Sequence, residues 1–168
     1  MISLAEAIKL KSILRQKISD LSIELSTVSF TVIEKGEEPK AQGRTMQQVE
    51  ADLAVVRKDS RTLDRLIYRA NIDHFIEFNG EKLAIVEAIE LATQLRAEAG
   101  QAKTFGISEK ESYMHSIGET ILYNVALFNP EEYRVRAIEL EKQAHRLSNA
   151  INAKNYQVQI DFDDSMYF

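Results

Sequence analysis

Apolar residues recur along much of this chain at alternating steps of four and three. The longest seam reads Val49, Leu53, Val56, Ser60, Leu63, Ile67, Ala70 and His74. That spacing lines one stripe of a long helix, and such a stripe has to pack on another helix. A second seam opens the chain with Leu4, Ala7, Lys11, Leu14, Ile18, Leu21, Leu25 and Val28. Lys11 is its one charged member, and its stem can lie over apolar neighbours. A third runs Tyr133, Ala137, Leu140, Ala144, Leu147 and Ile151, and Ala84, Ala88, Leu91 and Leu95 give a shorter one.

Local signals set the ends of these seams. Ser3 with Glu6, and Thr45 with Gln48, have the spacing of capping boxes. Asn129-Pro130-Glu131-Glu132 supplies a cap, a proline at the first helical position and acids in the first turn. Asn79-Gly80 is a turn signal, and Gly100 is a candidate stop. Together they predict helices over about 4–28, 45–75, 81–98 and 130–157.

Two stretches break the helical period. Thr27–Ile33 and Thr120–Phe128 are β-branched, aromatic or alternating, which suits extended chain. A lone strand is not stable, so 26–33 and 120–128 are expected to pair. Residues 34–44 hold Gly36, Pro39 and Gly43 among charges and read as an exposed loop. Residues 101–129 read as irregular, with Ser108 and Glu111 spaced to cap a short helix. The expected fold class is mainly α, one helical domain over 1–168. It is a long antiparallel helical hairpin or bundle with coiled-coil-like seams and at most one short strand pair.

A helix of 28 residues is about 42 Å long. A thin bundle of such rods covers its apolar surface poorly. The second stripes Leu10–Ile13–Ile23, Ile85–Ile89 and Val135–Ile138 need cover from each other, from the middle segment, or from another subunit. The expected partner is a second copy of the chain, with no other protein partner identified. Lys11, Ser60 and His74 are candidates for setting the register.

Composition narrows the classes. The chain has 168 residues, 45% of them hydrophobic, with a net charge of -5. That balance argues against a general nucleic-acid binder. There is no cysteine, so disulfides and thiolate metal sites are excluded. No apolar run approaches the ~20 residues that span a bilayer. No basic segment followed by an apolar core opens the chain. A cytoplasmic protein without membrane association is the expectation.

Candidate chemistry is sparse. Glu111 and His115, and Glu141 and His145, each stand four apart, which on a helix shares one face. Together they could offer four ligands to zinc or iron. They lack the Glu-x-x-His spacing of bundle di-iron sites, and surface ion pairs are the plainer reading. Arg57, Arg61, Arg65 and Arg69 make a ladder that could follow phosphates. No aromatic residues interleave with it, so a solvated face paired with acids is expected instead. The tail Asp161–Phe168 mixes acids with Phe162, Met166, Tyr167 and Phe168, and could dock on this chain or on a partner. Walker A, G-x-G-x-x-G, G-x-S-x-G and H-E-x-x-H motifs are all missing. No catalytic residue and no cofactor are expected. The leading expectation is a non-enzymatic structural or interaction protein that self-associates through helical surfaces. A small metal- or ligand-binding bundle is the alternative.

Several segments resemble the septicolysin-like family of uncharacterised bacterial proteins. They are Leu4-Ala5-Glu6-Ala7-Ile8 with its leucine-rich helix, and Leu66-Ile67 with Arg69 and Asn71. Phe78-Asn79-Gly80-Glu81-Lys82-Leu83 follows, then the late Ile151-Asn152-Ala153-Lys154-Asn155-Tyr156, with the acidic turn Gly36-Glu37-Glu38-Pro39. The resemblance covers most of the chain and implies a mainly helical fold from a bacterium. It carries over no site residue. Its name would add lipid or membrane association, for which this chain has no obvious inserting segment.

Overall fold

The computed structural model describes residues 1–40 and 43–168. In chain order the elements are β1 (Ile2–Ser3), α1 (Leu4–Val28), α2 (Met46–Asp73), β2 (Phe75–Phe78), β3 (Glu81–Ala84), α3 (Ile85–Gly106), β4 (Glu111–Ile117), β5 (Thr120–Val125), α4 (Pro130–Gln157) and β6 (Gln159–Ile160). Among the described residues six strands form three separate two-stranded antiparallel sheets, β1-β6, β2-β3 and β4-β5. The fold is therefore an α+β mix, which corrects the mainly α bundle expected from the seams. The chain divides into two compact units, Met1–His74 with Asn155–Phe168, and Phe75–Lys154.

In the first unit α1 and α2 lie antiparallel. Lys11 reaches Asp64 at 2.5 Å, while Arg44, just before α2, pairs with Glu24 near the other end of α1. Both seams face inward, burying Leu4, Ala7, Leu10, Leu14 and Leu21 against Val49, Leu53, Val56, Leu63, Ile67 and Ala70. Each large member contributes about 1.5–3 kcal/mol by leaving water. Both capping boxes close. The Ser3 hydroxyl accepts from the Glu6 N–H at 3.2 Å and the Glu6 carboxylate accepts from the Ser3 N–H at 2.7 Å. Thr45 and Gln48 do the same at 3.2 and 3.0 Å. Lys11 keeps its stem in the seam and its ammonium 5.4 Å from the Tyr68 ring centre, so the polar intrusion is answered across the helix pair.

The C-terminal tail folds back onto this unit. β6 pairs with β1, the Leu4 N–H donates to the Val158 carbonyl at 2.8 Å, and Val158, Ile160 and Phe162 are buried. The Tyr167 hydroxyl donates to Asp59 of α2 at 2.5 Å, and the Lys17 ammonium of α1 sits 5.2 Å from the Tyr167 ring centre. Residues 30–33 form no strand, so the expected pairing of 26–33 with 120–128 does not occur; α1 holds its helix to Val28. Residues 30–40 are exposed; of the loop expected over 34–44, positions 41–42 lie outside the described residues.

In the second unit the Asn79-Gly80 turn joins two strands, not two helices. Asn79 and Gly80 both have positive φ, 50° and 81°, which is the type I′ geometry that two-residue hairpins favour. Ile76 and Leu83 face each other across β2-β3 and are buried. β3 runs straight into α3, where the Glu87 carboxylate accepts the Ala84 N–H at 2.7 Å. α3 then continues through Gly100 to Gly106, past the expected stop. α3 and α4 run antiparallel: Arg96 reaches Ser148, and Gly106 lies against the Arg134 backbone. Among the described residues no helix is long and apolar enough to cross a membrane.

Candidate interaction surface

The segment expected to be irregular, 101–129, holds the most exposed regular structure of the second unit. Its β4-β5 hairpin turns at Gly118-Glu119, with Ile117 opposite Thr120 and Gly118 at φ 60°. Glycine first in a two-residue loop is the type II′ pattern. Tyr113 faces Tyr123 but His115 faces Leu122, so Met114 is an extra residue bulged out of β4. The short helix expected from the Ser108–Glu111 cap does not form: α3 ends at Gly106 and the chain is strand from Glu111.

The base of the hairpin is firmly built. Phe105 from the end of α3, Phe128 after β5 and Tyr133 from the first turn of α4 make a triad with ring centres 5.1–5.3 Å apart. Tilted and edge-on rings at that spacing attract beyond their burial. The Lys110 ammonium donates to the Ala126 and Phe128 carbonyls at 2.7 and 2.9 Å, and the Ala126 N–H donates to the Lys110 carbonyl at 2.9 Å. Glu131 and Arg134 pair at 2.8 and 2.5 Å beside it, and that hydrogen bond holds the Glu131 carboxyl below its ordinary value.

The arm beyond that base is uncovered. Alternation along β5 sends Ile121, Tyr123 and Val125 to one face, where Tyr113 joins them opposite Tyr123. Tyr113 and Tyr123 meet edge-on at 6.3 Å, and the Tyr113 hydroxyl lies 3.1 Å from that of Ser116. Their exposures are 61% for Tyr113, 56% for Ile121, 53% for Tyr123 and 50% for Val125. Met114, Ile117 and Leu127 are also exposed. An exposed apolar face of this kind is a candidate contact site.

The second helical stripes divide. Leu10 and Ile85 are fully buried, whereas Ile23, Ile89, Val135 and Ile138 stay exposed. The candidate metal residues are scattered by element. Glu111 and His115 stand on β4 with the bulge between them, not on a helix, so their four-residue spacing loses its meaning. Glu141 and His145 do share a helix, α4, and both are exposed. Among the described residues no three His, Asp or Glu side chains gather where a metal ion would fit.

The arginine ladder of α2 is exposed, and among the described residues only Arg69 of the ladder finds an acid, Asp73 at 3.2 Å. Asp64, on the same helix, pairs with Lys11 of α1. His74 ends α2 in an extended conformation, its Nδ1 3.0 Å from the Ala70 carbonyl. The hairpin residues Tyr113, Ile121, Tyr123 and Val125 were not candidates from sequence. The signal that points to them is Ile117-Gly118-Glu119-Thr120, a two-residue turn with glycine first.

No family model and no curated protein matches the chain. Among solved structures, the crystal structure of a functionally unknown conserved protein from Corynebacterium diphtheriae is similar, with a TM-score of 0.63 and 17% identity. The match covers 95% of this chain and 99% of that one. At that identity the likeness shows a shared fold, and it bears neither on activity nor on the septicolysin-like resemblance.

Proposed function

We propose that the chain is a structural or interaction protein that works as a homo-oligomer and carries no reaction of its own. The observation that supports this reading is the apolar face of the β4-β5 arm, held out on a firmly packed base. Exposed Ile89, Val135 and Ile138 on α3 and α4 add helical surface to the same account. A closed oligomer covers such surface on every copy at once, because one self-complementary patch meets itself across the symmetry axis. A cytoplasmic location belongs to the reading, supported by the absence of cysteine. Sedimentation equilibrium at micromolar concentration tests it. A mass of at least twice 19.1 kDa is expected, and a monomer of 19.1 kDa at all loadings would overturn it.

A further inference from the structure

We propose that the β4-β5 hairpin is a dimerisation arm, joined through the outer edge of β5 to β5 of a second copy. The proposal rests on the self-association reading above and gives it a surface.

The arm is unfinished as a sheet. Among the described residues β4 and β5 pair only with each other, so each keeps one outer edge without a strand. A two-stranded ribbon is marginal in water, and three or more strands with an apolar face are needed for stability. The two edges are not alike. β4 carries Glu111, His115 and the Met114 bulge, which are the features that blunt an edge against pairing. β5 reads Thr-Ile-Leu-Tyr-Asn-Val, with no charge, no proline, no glycine and no bulge.

Hydrogen-bond direction shows what the β5 edge offers. The Ala126 N–H turns inward to the Lys110 carbonyl. Donors alternate along an antiparallel strand, so Thr120, Leu122 and Asn124 also turn toward β4. Ile121, Tyr123 and Val125 therefore aim their N–H and C=O groups outward. These are the same three residues whose side chains form the exposed apolar face.

A second copy fits both requirements. A two-fold axis normal to the sheet keeps like faces on one side. It also sets outward-facing residues opposite outward-facing residues. With Tyr123 on the axis, Ile121 stands opposite the partner's Val125, and the two Tyr123 rings become cross-strand neighbours. The product is a four-stranded sheet, β4-β5-β5-β4, with one continuous face of aromatic and β-branched side chains. No charge on β5 opposes a like charge across the axis.

The experiment compares the full-length chain with Tyr123→Lys and Tyr123→Pro by sedimentation equilibrium, with amide hydrogen exchange over 120–125. Lysine puts like charges across the axis, and proline removes the outward N–H together with the phenol ring; neither deletes a main-chain donor that faces β4. A dimeric parent is expected, with each variant weakening association at least tenfold. In the parent the Ile121, Tyr123 and Val125 amides should be slow at high concentration and speed up on dilution, while those of Leu122 and Asn124 stay unchanged. A dimeric parent with equally dimeric variants would overturn the arm and leave self-association standing. Fast exchange at the three outward amides in a dimeric parent would overturn it too. A monomeric parent would remove both.

Discussion

Tyr167 shows how one residue ties the tail to the helical hairpin. Its phenol lies partly buried between Asp59 and Lys17, and burial first, then the Asp59 hydrogen bond, pushes its pKa well above the ordinary value near 10. In the unfolded chain the phenol ionises near 10; in the fold it keeps its proton to higher pH. The contact's stabilisation is therefore full below pH 10 and is lost as pH rises from there toward the folded value. Tyr167→Phe keeps the ring and deletes the hydroxyl. Urea unfolding should show the parent more stable than this variant at pH 8, with the gap narrowing as pH is raised above 10. A gap that is constant with pH would place the hydroxyl outside the Asp59 contact.

At the scale of elements, the α3–α4 pair rests on one close approach. A Cβ added at Gly106 would lie 2.8 Å from the Cα and N of Arg134. Those are backbone atoms, so the helices would have to part. Gly106→Ala should cost about 1–3 kcal/mol in urea unfolding, as overpacking does. Gly100→Ala, on the same helix with open space around it, should instead stabilise by about 0.5–1 kcal/mol. Equal effects at the two sites would refute the close approach. The helix limits were readable because seams and caps agree: Ser3 with Glu6, Thr45 with Gln48, and Asn129-Pro130 place α1, α2 and α4. The hairpins were not. Strands of four residues, as in β2 and β3, are too short to show a period, and Glu81-Lys82-Leu83-Ala84 reads equally well as helix. The Met114 bulge broke the alternation in β4, so only β5 declared itself and its partner was misplaced. The pairing of Glu111 with His115 as helical neighbours failed for the same reason. The exposed face depended on knowing the register, which the Gly118-Glu119 turn sets.

At the scale of the molecule, the order of the chain matters more than any single seam. The first unit is made of both ends, with the second inserted between His74 and Asn155. The α1–α2 hairpin alone is two helices with one shared stripe, and the tail supplies much of its remaining apolar cover. Val158, Ile160 and Phe162 are all buried, and β6 gives β1 its hydrogen-bond partner. Three such side chains are worth about 1.5–3 kcal/mol each. Their sum rivals the whole stability of an ordinary domain, about 5–15 kcal/mol. A chain ending at Lys154 should therefore lose slow amide exchange across α1 and α2, although every residue of both helices is still present. Amides in β2, β3 and α3 should keep theirs, since all three lie within the second unit. Full protection of α1 and α2 in the shortened chain would mean that the helical hairpin carries itself, and the tail is then only a passenger on its surface.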